Sequence, residues 1–263
     1  MTERFIRYIE GTSVVHKLDP RAKFFFVFSI IASASIAYNI ILVLPLLAVS
    51  AGLYLAAKLP WDKVKTTWKF VLFIILFLSL MNYLFVAVLF HQPRGQPDIE
   101  LAFDPELFLM VFTPVVKLLT VAVATITLVY TTPYNLYAPA LGQMGLNYKA
   151  AYVIQLGLRY MPEFIEEMRK TLEAQMARGY RPRGGRNIFA RILSLAPLVV
   201  PVTVSAALST YDIADAMELR GFGERSCHTW FRKLQLKKAD KALILASSAT
   251  LILYFTLFLT RLP

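Results

Sequence analysis

The sequence predicts an all-α integral membrane protein, with about five transmembrane helices and a cytoplasmic coupling domain of amphipathic helices inserted between spans 4 and 5. Three observations support this prediction: an apolar composition, a series of long uncharged segments, and a concentration of basic residues in one part of the chain. Hydrophobic residues make up 57% of the 263 residues and charged residues 17%, with a mean hydropathy of +0.55. One soluble core cannot bury that much apolar surface, so much of it is expected to face lipid.

The first two spans are predicted from a single uncharged run. Residues 1–23 are basic and contain no apolar run, so they are not expected to act as a cleavable signal sequence. Residues 24–57 carry no formal charge over 34 residues. As one helix they would measure about 50 Å, against about 30 Å of hydrocarbon in a bilayer. Asn39, with Pro45 following, indicates a break near residues 38–41, and two helices are expected, each short for a span.

Three further apolar runs predict the remaining spans at residues 70–90, 107–130 and 242–260. Four lysines and two tryptophans precede the first of these runs, which is typical of a cytoplasmic loop at the membrane interface. The lysines are Lys58, Lys63, Lys65 and Lys69. The acidic, turn-rich connection at 91–106 is predicted to lie outside. Lys117, within the fourth span, is expected to snorkel or to pair inside the bundle.

The net charge of +11 is concentrated in residues 133–241, which hold sixteen lysines and arginines against nine acidic residues. Because basic loops remain in the cytoplasm, this segment and the N-terminus are predicted to lie on that side of the membrane. The chain is therefore divided into an N-terminal membrane domain of four helices at 1–132, a cytoplasmic coupling domain at 133–241 and a C-terminal transmembrane helix at 242–263.

The cytoplasmic segment contains two predicted helices that end alike. The first is predicted to open at Pro162, a favoured first helical position, and its apolar residues then recur every three or four positions. It ends with Ala177, Arg178 and Gly179. The second begins near Pro197 or Pro201 and is rich in small residues, which let another helix approach closely. It ends with Leu219, Arg220 and Gly221.

Both endings place an arginine directly before a glycine. Such a pair is common capping chemistry, since glycine stops helices and a cation complements the negative end of the helix dipole, and this interpretation stays open for either end alone. Two such ends 42 residues apart favour a second interpretation. Arg178 and Arg220 keep their charge and present a fixed fork of donors that fits a carboxylate, so both ends are predicted to dock onto a cytosolic protein.

Other chemistries find little support in the sequence. No G-x-x-x-x-G-K-[ST] loop is present, the three histidines are scattered, and the single cysteine, Cys227, excludes an intrachain disulfide. No catalytic group, metal site or cofactor is therefore predicted, and any energy source is expected to come from another subunit. The basic linker at 179–186 is expected to rest on anionic lipid rather than on nucleic acid.

Two competing function classes remain. Asp212 and Asp215 share one helix face, and as Mg²⁺ ligands they would define a membrane-embedded enzyme acting on lipid-linked substrates, although a structural role is preferred. A self-sufficient secondary transporter would instead place its binding groups near the membrane midplane between repeated halves. No inverted repeat is visible in the sequence, which disfavours that class.

Three motifs in order point to a known family. Ser13, His16, Leu18, Asp19, Pro20, Arg21 and Lys23 match the pattern S-x-x-H-x-L-D-P-R-x-K. Residues 158–162 and 173–179 form a second motif, and residues 197–222 form a third. Over nearly its whole length the chain resembles the EcfT family, the transmembrane coupling components of energy-coupling factor (ECF) transporters, which are ATP-binding cassette importers. Leu219 stands where that family usually has alanine.

The resemblance implies a non-catalytic scaffold that works with other subunits. Two cytosolic ATPase subunits would each receive one arginine in a groove, with Arg178 and Arg220 as the two inserted residues. Their neighbours in the grooves would be Ala177, Gly179, Leu219 and Gly221. A separate membrane-embedded substrate-binding component, the S component, would capture a vitamin or metal ion, so the cargo would be selected by a different chain.

Overall fold

The computed structural model describes residues 8–9, 11–90, 105–181, 196–224 and 234–260, and all regular secondary structure in these ranges is helical. The predictions for most of the outer connection, for most of the basic linker, and for Cys227, His91 and His228 lie outside the described residues. The chain divides into two compact units. The five-helix unit comprises residues 7–133 and 234–263, and the insert unit comprises residues 1–6 and 134–233.

The five-helix unit is built from helices α1 (Pro20–Ile36), α2 (Ile40–Ala57), α3 (Trp61–Phe90), α4 (Pro105–Thr131) and α8 (Lys238–Leu259). The predicted break between the first two spans is confirmed, because α1 ends and α2 begins within residues 36–40. Asp19 caps α1 by accepting a 2.9 Å hydrogen bond from the Arg21 backbone N–H, and Pro20 follows as the first helical residue. Proline is favoured there because its missing N–H is not needed by the helix.

Helix α4 is the centre of this unit, packing against α1, α2 and α3, while α1 also packs against α8. The core includes Ile30 of α1, Val43 and Leu46 of α2, and Ala124 and Leu128 of α4. Three buried threonines of α4 donate to backbone carbonyls four residues earlier: Thr120, Thr127 and Thr131. These bonds satisfy the hydroxyl groups inside an apolar environment, where an unpaired hydroxyl would destabilise the fold.

The start of α3 corrects one sequence prediction. The cytoplasmic loop predicted to carry four lysines is mostly helix, because α3 begins at Trp61 and only Lys58 lies before it. Lys58 adopts a left-handed conformation (φ 49°) that ends α2. Lysine is a good helix former, and in the first turns of α3 the Lys65 ammonium donates to the Asp62 carboxylate at 3.1 Å. The helix therefore begins nine residues before its uncharged part.

The insert unit contains a 3₁₀ turn (Tyr134–Leu136) and helices α5 (Tyr137–Gln143), α6 (Tyr148–Ala177) and α7 (Ala196–Glu218). Helix α6 packs against α5 and α7. The prediction that Pro162 opens the first of the two helices is wrong, since α6 begins fourteen residues earlier and Pro162 lies inside it. The start is set by Asn147, whose side chain accepts a 3.0 Å bond from the Lys149 backbone N–H.

Five described helices are long and apolar enough to cross a membrane: α2, most of α3, residues 112–131 of α4, α7 and α8. The predicted number is therefore confirmed, but its members differ. Helix α1 has 17 residues, fewer than the roughly 20 of a typical span. Helix α7, which was predicted to be cytoplasmic, has the length and composition of a span. The small and apolar residues of α7 give it the hydropathy of a membrane span. The same residues would also allow another helix to pack closely against it.

Candidate functional site: two arginine-bearing helix ends

The end of α6 has a complete Schellman motif. After Ala177 and Arg178 the chain turns at Gly179, whose φ is +88°. The Gly179 N–H donates to the Met176 carbonyl at 3.0 Å, and the next N–H donates to the carbonyl five residues earlier, also at 3.0 Å. This pair of bonds satisfies carbonyls that the last helical turn leaves free. Arg178 thereby occupies the last position before the turn.

The end of α7 repeats that geometry atom for atom. Gly221 has a φ of +71°, and its N–H donates to the Glu218 carbonyl at 2.8 Å. The Phe222 N–H donates to the Met217 carbonyl at 3.0 Å. Arg220 therefore occupies the same position at its helix end as the arginine of α6 does. Glycine is needed at both turns because a Cβ clashes with the backbone in the left-handed conformation.

The side chains beside these turns are turned to the surface. Ala177, Arg178 and Arg220 are exposed, and Leu219 has 90% of its surface exposed. Within the part of the chain that the structure describes, neither guanidinium has an ion-pair or hydrogen-bond partner. One other exposed arginine of the same unit, Arg169, is paired with Glu173 at 3.1 Å. The two ends thus present unsatisfied donors next to an exposed large apolar residue.

The end of α7 is fixed against the beginning of α6. The Phe222 ring lies 4.9 Å from the Tyr152 ring and 5.9 Å from the Tyr148 ring, centroid to centroid. Such aromatic pairs stabilise beyond the area they bury. Because Phe222 directly follows the turn, these contacts fix the direction in which the chain leaves Arg220.

Helices α6 and α7 run antiparallel, which separates the two arginines. The end of α7 contacts the first turns of α6, and farther along the pair the Ser205 hydroxyl donates to the Glu167 carboxylate. Arg178, the capping residue of α6, lies 26 positions after Tyr152, which is about 39 Å along the helix at 1.5 Å per residue. The two arginine-bearing ends therefore lie at opposite ends of one helical pair, up to about 40 Å apart.

Asp212 and Asp215, the residues of the enzyme alternative, are exposed on α7. Across the described ranges no three histidine, cysteine, aspartate or glutamate side chains come close enough to hold a metal ion. A Mg²⁺ site usually combines carboxylates with substrate phosphates. These two aspartates by themselves supply only a partial ligand set.

A second group of functional interest lies in the five-helix unit, and its geometry could not be inferred from the sequence. The Ser13 hydroxyl and His16 Nδ1 are 2.6 Å apart, and His16 Nε2 donates to the Ile9 carbonyl at 3.0 Å. Burial lowers the pKa of His16 below its usual 6.5; the hydrogen bond to Ile9 opposes this shift and the charge of Lys23 adds to it. A neutral imidazole satisfies both contacts, because the carbonyl accepts and the hydroxyl donates.

Close in sequence to His16, Asp19 joins the start of α1 to the start of α8 through Asp240. Asp240 is 1% exposed, and its Oδ1 accepts a 2.8 Å hydrogen bond from the Asp19 backbone N–H. The other oxygen of Asp240 accepts from the Lys237 N–H at 2.7 Å, which caps α8. Two helix N-termini that are more than 200 residues apart in sequence are thus held by one buried carboxylate. No local pattern in the sequence signals that pairing.

Known proteins match this chain over most of its length. The CbiQ family, described as a cobalt transport protein, matches residues 11–229. The "Energy-coupling factor transporter transmembrane protein EcfT" of Listeria innocua serovar 6a is 30% identical over 262 residues, 94% of this chain and 95% of that protein. The protein of the same name from Bacillus subtilis strain 168 is 27% identical over 264 residues, 95% and 96% of the two chains. That of Thermotoga maritima is 26% identical over 258 residues, 94% and 91%.

Fold and comparison together define a multi-pass, all-helical membrane component of a transporter. The chain belongs to the CbiQ family. Within that family it belongs with the EcfT proteins, the transmembrane components of energy-coupling factor transporters.

Proposed function

We propose that this chain is the scaffold of an ECF-type importer, which couples ATP hydrolysis by two cytosolic ATPase subunits to uptake of a vitamin or metal ion. A separate membrane-embedded S component would bind that cargo. The observation that carries the proposal is the pair of identical helix ends, each with an exposed arginine that has no partner among the described residues. Two equivalent ends on one chain suit two equivalent partners.

The chemistry of each end fits a protein groove. A guanidinium donates two parallel hydrogen bonds to a carboxylate and stays charged at every physiological pH. Exposed apolar side chains lie beside both arginines: Met176 near Arg178, and Leu219 next to Arg220. An arginine beside a large apolar residue has the composition of an interface hot spot. In our proposal Ala177, Gly179 and Gly221 complete the two contact sets, with Leu219 filling a position where the family has a smaller residue.

The antiparallel pair would transmit movement between the two partners. The ATPases approach each other when ATP is bound, and each would carry one helix end with it. Because the ends lie at opposite ends of the pair, such a movement would change the angle at which α6 and α7 cross. Each helix would move as a rigid body, and the bond from Ser205 to Glu167 and the contacts of Phe222 would keep the two helices packed while the angle changes.

The topology follows from the same proposal. The N-terminus and the insert unit would lie in the cytoplasm, where the ATPases are, although α7 has the length of a span. Its partner α6 carries Glu167, Arg169 and Glu173 along its length, and a helix with those charges is not expected in lipid. Helix α7, which packs along it, would accordingly lie outside the hydrocarbon region. The chain itself would need no cofactor and catalyse no reaction.

Co-purification from membranes tests the proposal. Arg178→Ala and Arg220→Ala should each weaken capture of the ATPase subunits, and the double variant should abolish uptake of cargo into vesicles, while all variants still insert into the membrane. Losing one buried charged contact at an interface costs about 2–5 kcal/mol. Arg169→Ala is the matched control, since Arg169 is exposed on α6 and paired with its neighbour Glu173.

The outcomes separate the proposal from the enzyme alternative. A double arginine variant with unchanged ATPase capture and unchanged uptake would contradict the proposal. Asp212→Asn should leave assembly and uptake unchanged. Loss of all activity in that variant, together with intact ATPase capture, would favour Mg²⁺-dependent chemistry instead.

A further inference from the structure

The chain passes between its two units at three places, and within seven residues of each lies a residue that belongs to, or is hydrogen-bonded by, one largely buried polar cluster. The crossings fall between residues 6 and 7, between Pro133 and Tyr134, and between residues 233 and 234. We define the N-terminal cluster as His16, Asp19, Arg21, Lys23 and Asp240. All five side chains belong to the five-helix unit.

Lys23 holds the chain where it leaves the five-helix unit. Its ammonium group donates to the Thr131 carbonyl at 3.0 Å, to the Thr131 hydroxyl at 3.2 Å and to the Thr132 hydroxyl at 3.4 Å. An ammonium has three donors, and all three are used here. Lys23 is 5% exposed, and both threonines are buried. Pro133, the last residue before the crossing, follows Thr132 directly.

Arg21 holds the chain where it returns. Its Nη2 donates to the Leu234 carbonyl at 3.1 Å, and Leu234 is the first residue of the five-helix unit after the third crossing. Four residues later α8 begins, and Asp240 there is bound to the Asp19 backbone. The return segment is thus held to the first turn of α1 by a side chain at one point and by a buried carboxylate at another.

The first crossing, between residues 6 and 7, is also followed by a residue that is hydrogen-bonded to the N-terminal cluster. Ile9 lies just beyond it and is buried. Its N–H donates to the Tyr130 carbonyl at 3.1 Å, and its carbonyl accepts from His16 Nε2 at 3.0 Å. Tyr130 is adjacent to Thr131, so this segment and the exit segment are fixed side by side.

From this placement we infer that the N-terminal cluster is a positioning device for coupling: Arg21, Lys23 and Asp240 fix the connections to the insert unit onto the first turn of α1. The inference rests on the proposed function, in which movement of the insert unit must reach the membrane helices. Covalent connections that were loose would absorb part of such a movement. Connections held to one helix start would pass it to α1, α4 and α8 together.

The choice of residues supports a positioning role over a purely stabilising one. A buried ion network is an inefficient way to stabilise a fold, since apolar residues of the same volume do as well or better. What such a network does provide is directional contact at defined atoms. Each contact described here ends on a residue within seven positions of a crossing.

The test uses the complete transporter in vesicles and measures ATP hydrolysed and cargo taken up in the same sample. Arg21→Gln and Thr132→Val each remove one contact to a connection while leaving the buried Lys23 and Asp240 in place. We expect ATPase capture to stay near that of the unaltered protein in both variants, while cargo taken up per ATP falls about fivefold. The melting temperature should be unchanged in Thr132→Val and lower in Arg21→Gln, which also removes the 3.8 Å pair of Arg21 with the buried Asp19. Lys65→Met is the matched control, because Lys65 pairs with Asp62 on the surface of the same unit.

Three outcomes decide the matter. A lower melting temperature or poorer assembly with an unchanged ratio of uptake to ATP hydrolysis would show a structural role only and overturn the inference. An unchanged ratio together with unchanged stability would overturn it as well, and both results leave the proposed function intact. Failure of the unaltered protein to bind any ATPase would contradict the proposed function itself and the inference with it. Arg21→Lys should restore part of the ratio, since its ammonium keeps the charge and a donor.

Discussion

The basic residues of this protein are used in two opposite ways. Arg178 and Arg220 are exposed and have no partner among the described residues, whereas Arg21 and Lys23 are bonded to backbone and hydroxyl oxygens across the five-helix unit. A charge that is already satisfied can fix local geometry but has little left for another molecule. An exposed charge on a rigid helix end contributes little to folding and remains available for a partner. The two groups should therefore respond differently to substitution.

The largest effect on stability is expected at Lys23. Lys23→Met keeps the volume of the side chain but removes the ammonium group that donates hydrogen bonds to Thr131 and Thr132. It also leaves the buried Asp240 without its cationic neighbour. Breaking a buried charged network by removing one member costs about 3–5 kcal/mol. The free energy of unfolding in detergent should fall by that amount.

Arg220→Ala serves as the contrasting variant, and its unfolding free energy should stay within about 0.5 kcal/mol of the unaltered protein. Equal losses in the two variants would contradict the division between structural and partner-binding charges.

A smaller effect is expected at the two turning glycines. Gly179→Ala and Gly221→Ala place a Cβ in a left-handed conformation, at a cost of about 1–2 kcal/mol each. Both should also misdirect the neighbouring arginine and weaken ATPase binding. Thermal unfolding and a binding titration on the same samples measure both consequences.

The matched control for these variants is Gly157→Ala on α6. A Cβ there meets nothing within 4 Å, and alanine in a helix interior stabilises by up to about 1 kcal/mol relative to glycine. Stabilisation at all three positions would show that the turns are not required.

The two arginine ends differ in what supports them, and Phe222 tests that difference. Phe222→Leu removes an aromatic contact with Tyr148 and Tyr152 worth about 0.5–1.5 kcal/mol, so binding of the ATPase at the Arg220 end should weaken about threefold. The corresponding residue at the other end is Tyr180, whose buried hydroxyl has no hydrogen-bond partner in the described chain.

Tyr180→Phe should accordingly leave binding unchanged. If instead both substitutions weaken binding equally, the two ends are supported in the same way and the contrast fails.

The smallest effect concerns pH. The pKa of His16 is lowered in the folded protein, so below pH 6.5 the unfolded chain binds more protons than the folded one at this position. The contribution of His16 to stability is complete above pH 6.5 and is lost as the pH falls below it. His16→Gln should flatten this dependence between pH 7.5 and 5.5 in thermal unfolding. An identical pH dependence in the two proteins would contradict a lowered pKa for this half-buried imidazole.

Much of the fold could be predicted from local signals. Uncharged runs located α1, α2 and α4 within a few residues, and the Arg-Gly pairs marked the ends of α6 and α7. Two errors came from treating local signals as boundaries. Pro162 is tolerated inside α6 because the capping residue Asn147 and the packing of the flanking turns set where that helix begins. Helix α3 includes the lysines after Pro60, because charged residues do not prevent a helix from extending beyond its apolar region.

The candidate site was predictable only in part. The repeated tripeptide pattern located Arg178 and Arg220, since helix capping is local. The contacts of Lys23 with Thr131 and of Asp19 with Asp240 join residues more than 100 positions apart, and no periodicity relates such residues. Only the fold brings them together.

The most direct test of the central claim is the affinity of the ATPase pair for the purified protein in nanodiscs. We expect the double variant Arg178→Ala/Arg220→Ala to raise the Kd at least about 1000-fold, because two charged contacts are lost, while the Kd of Arg169→Ala and the fold of both variants stay unchanged. An unchanged Kd in the double variant, with both helices intact by circular dichroism, would contradict this claim.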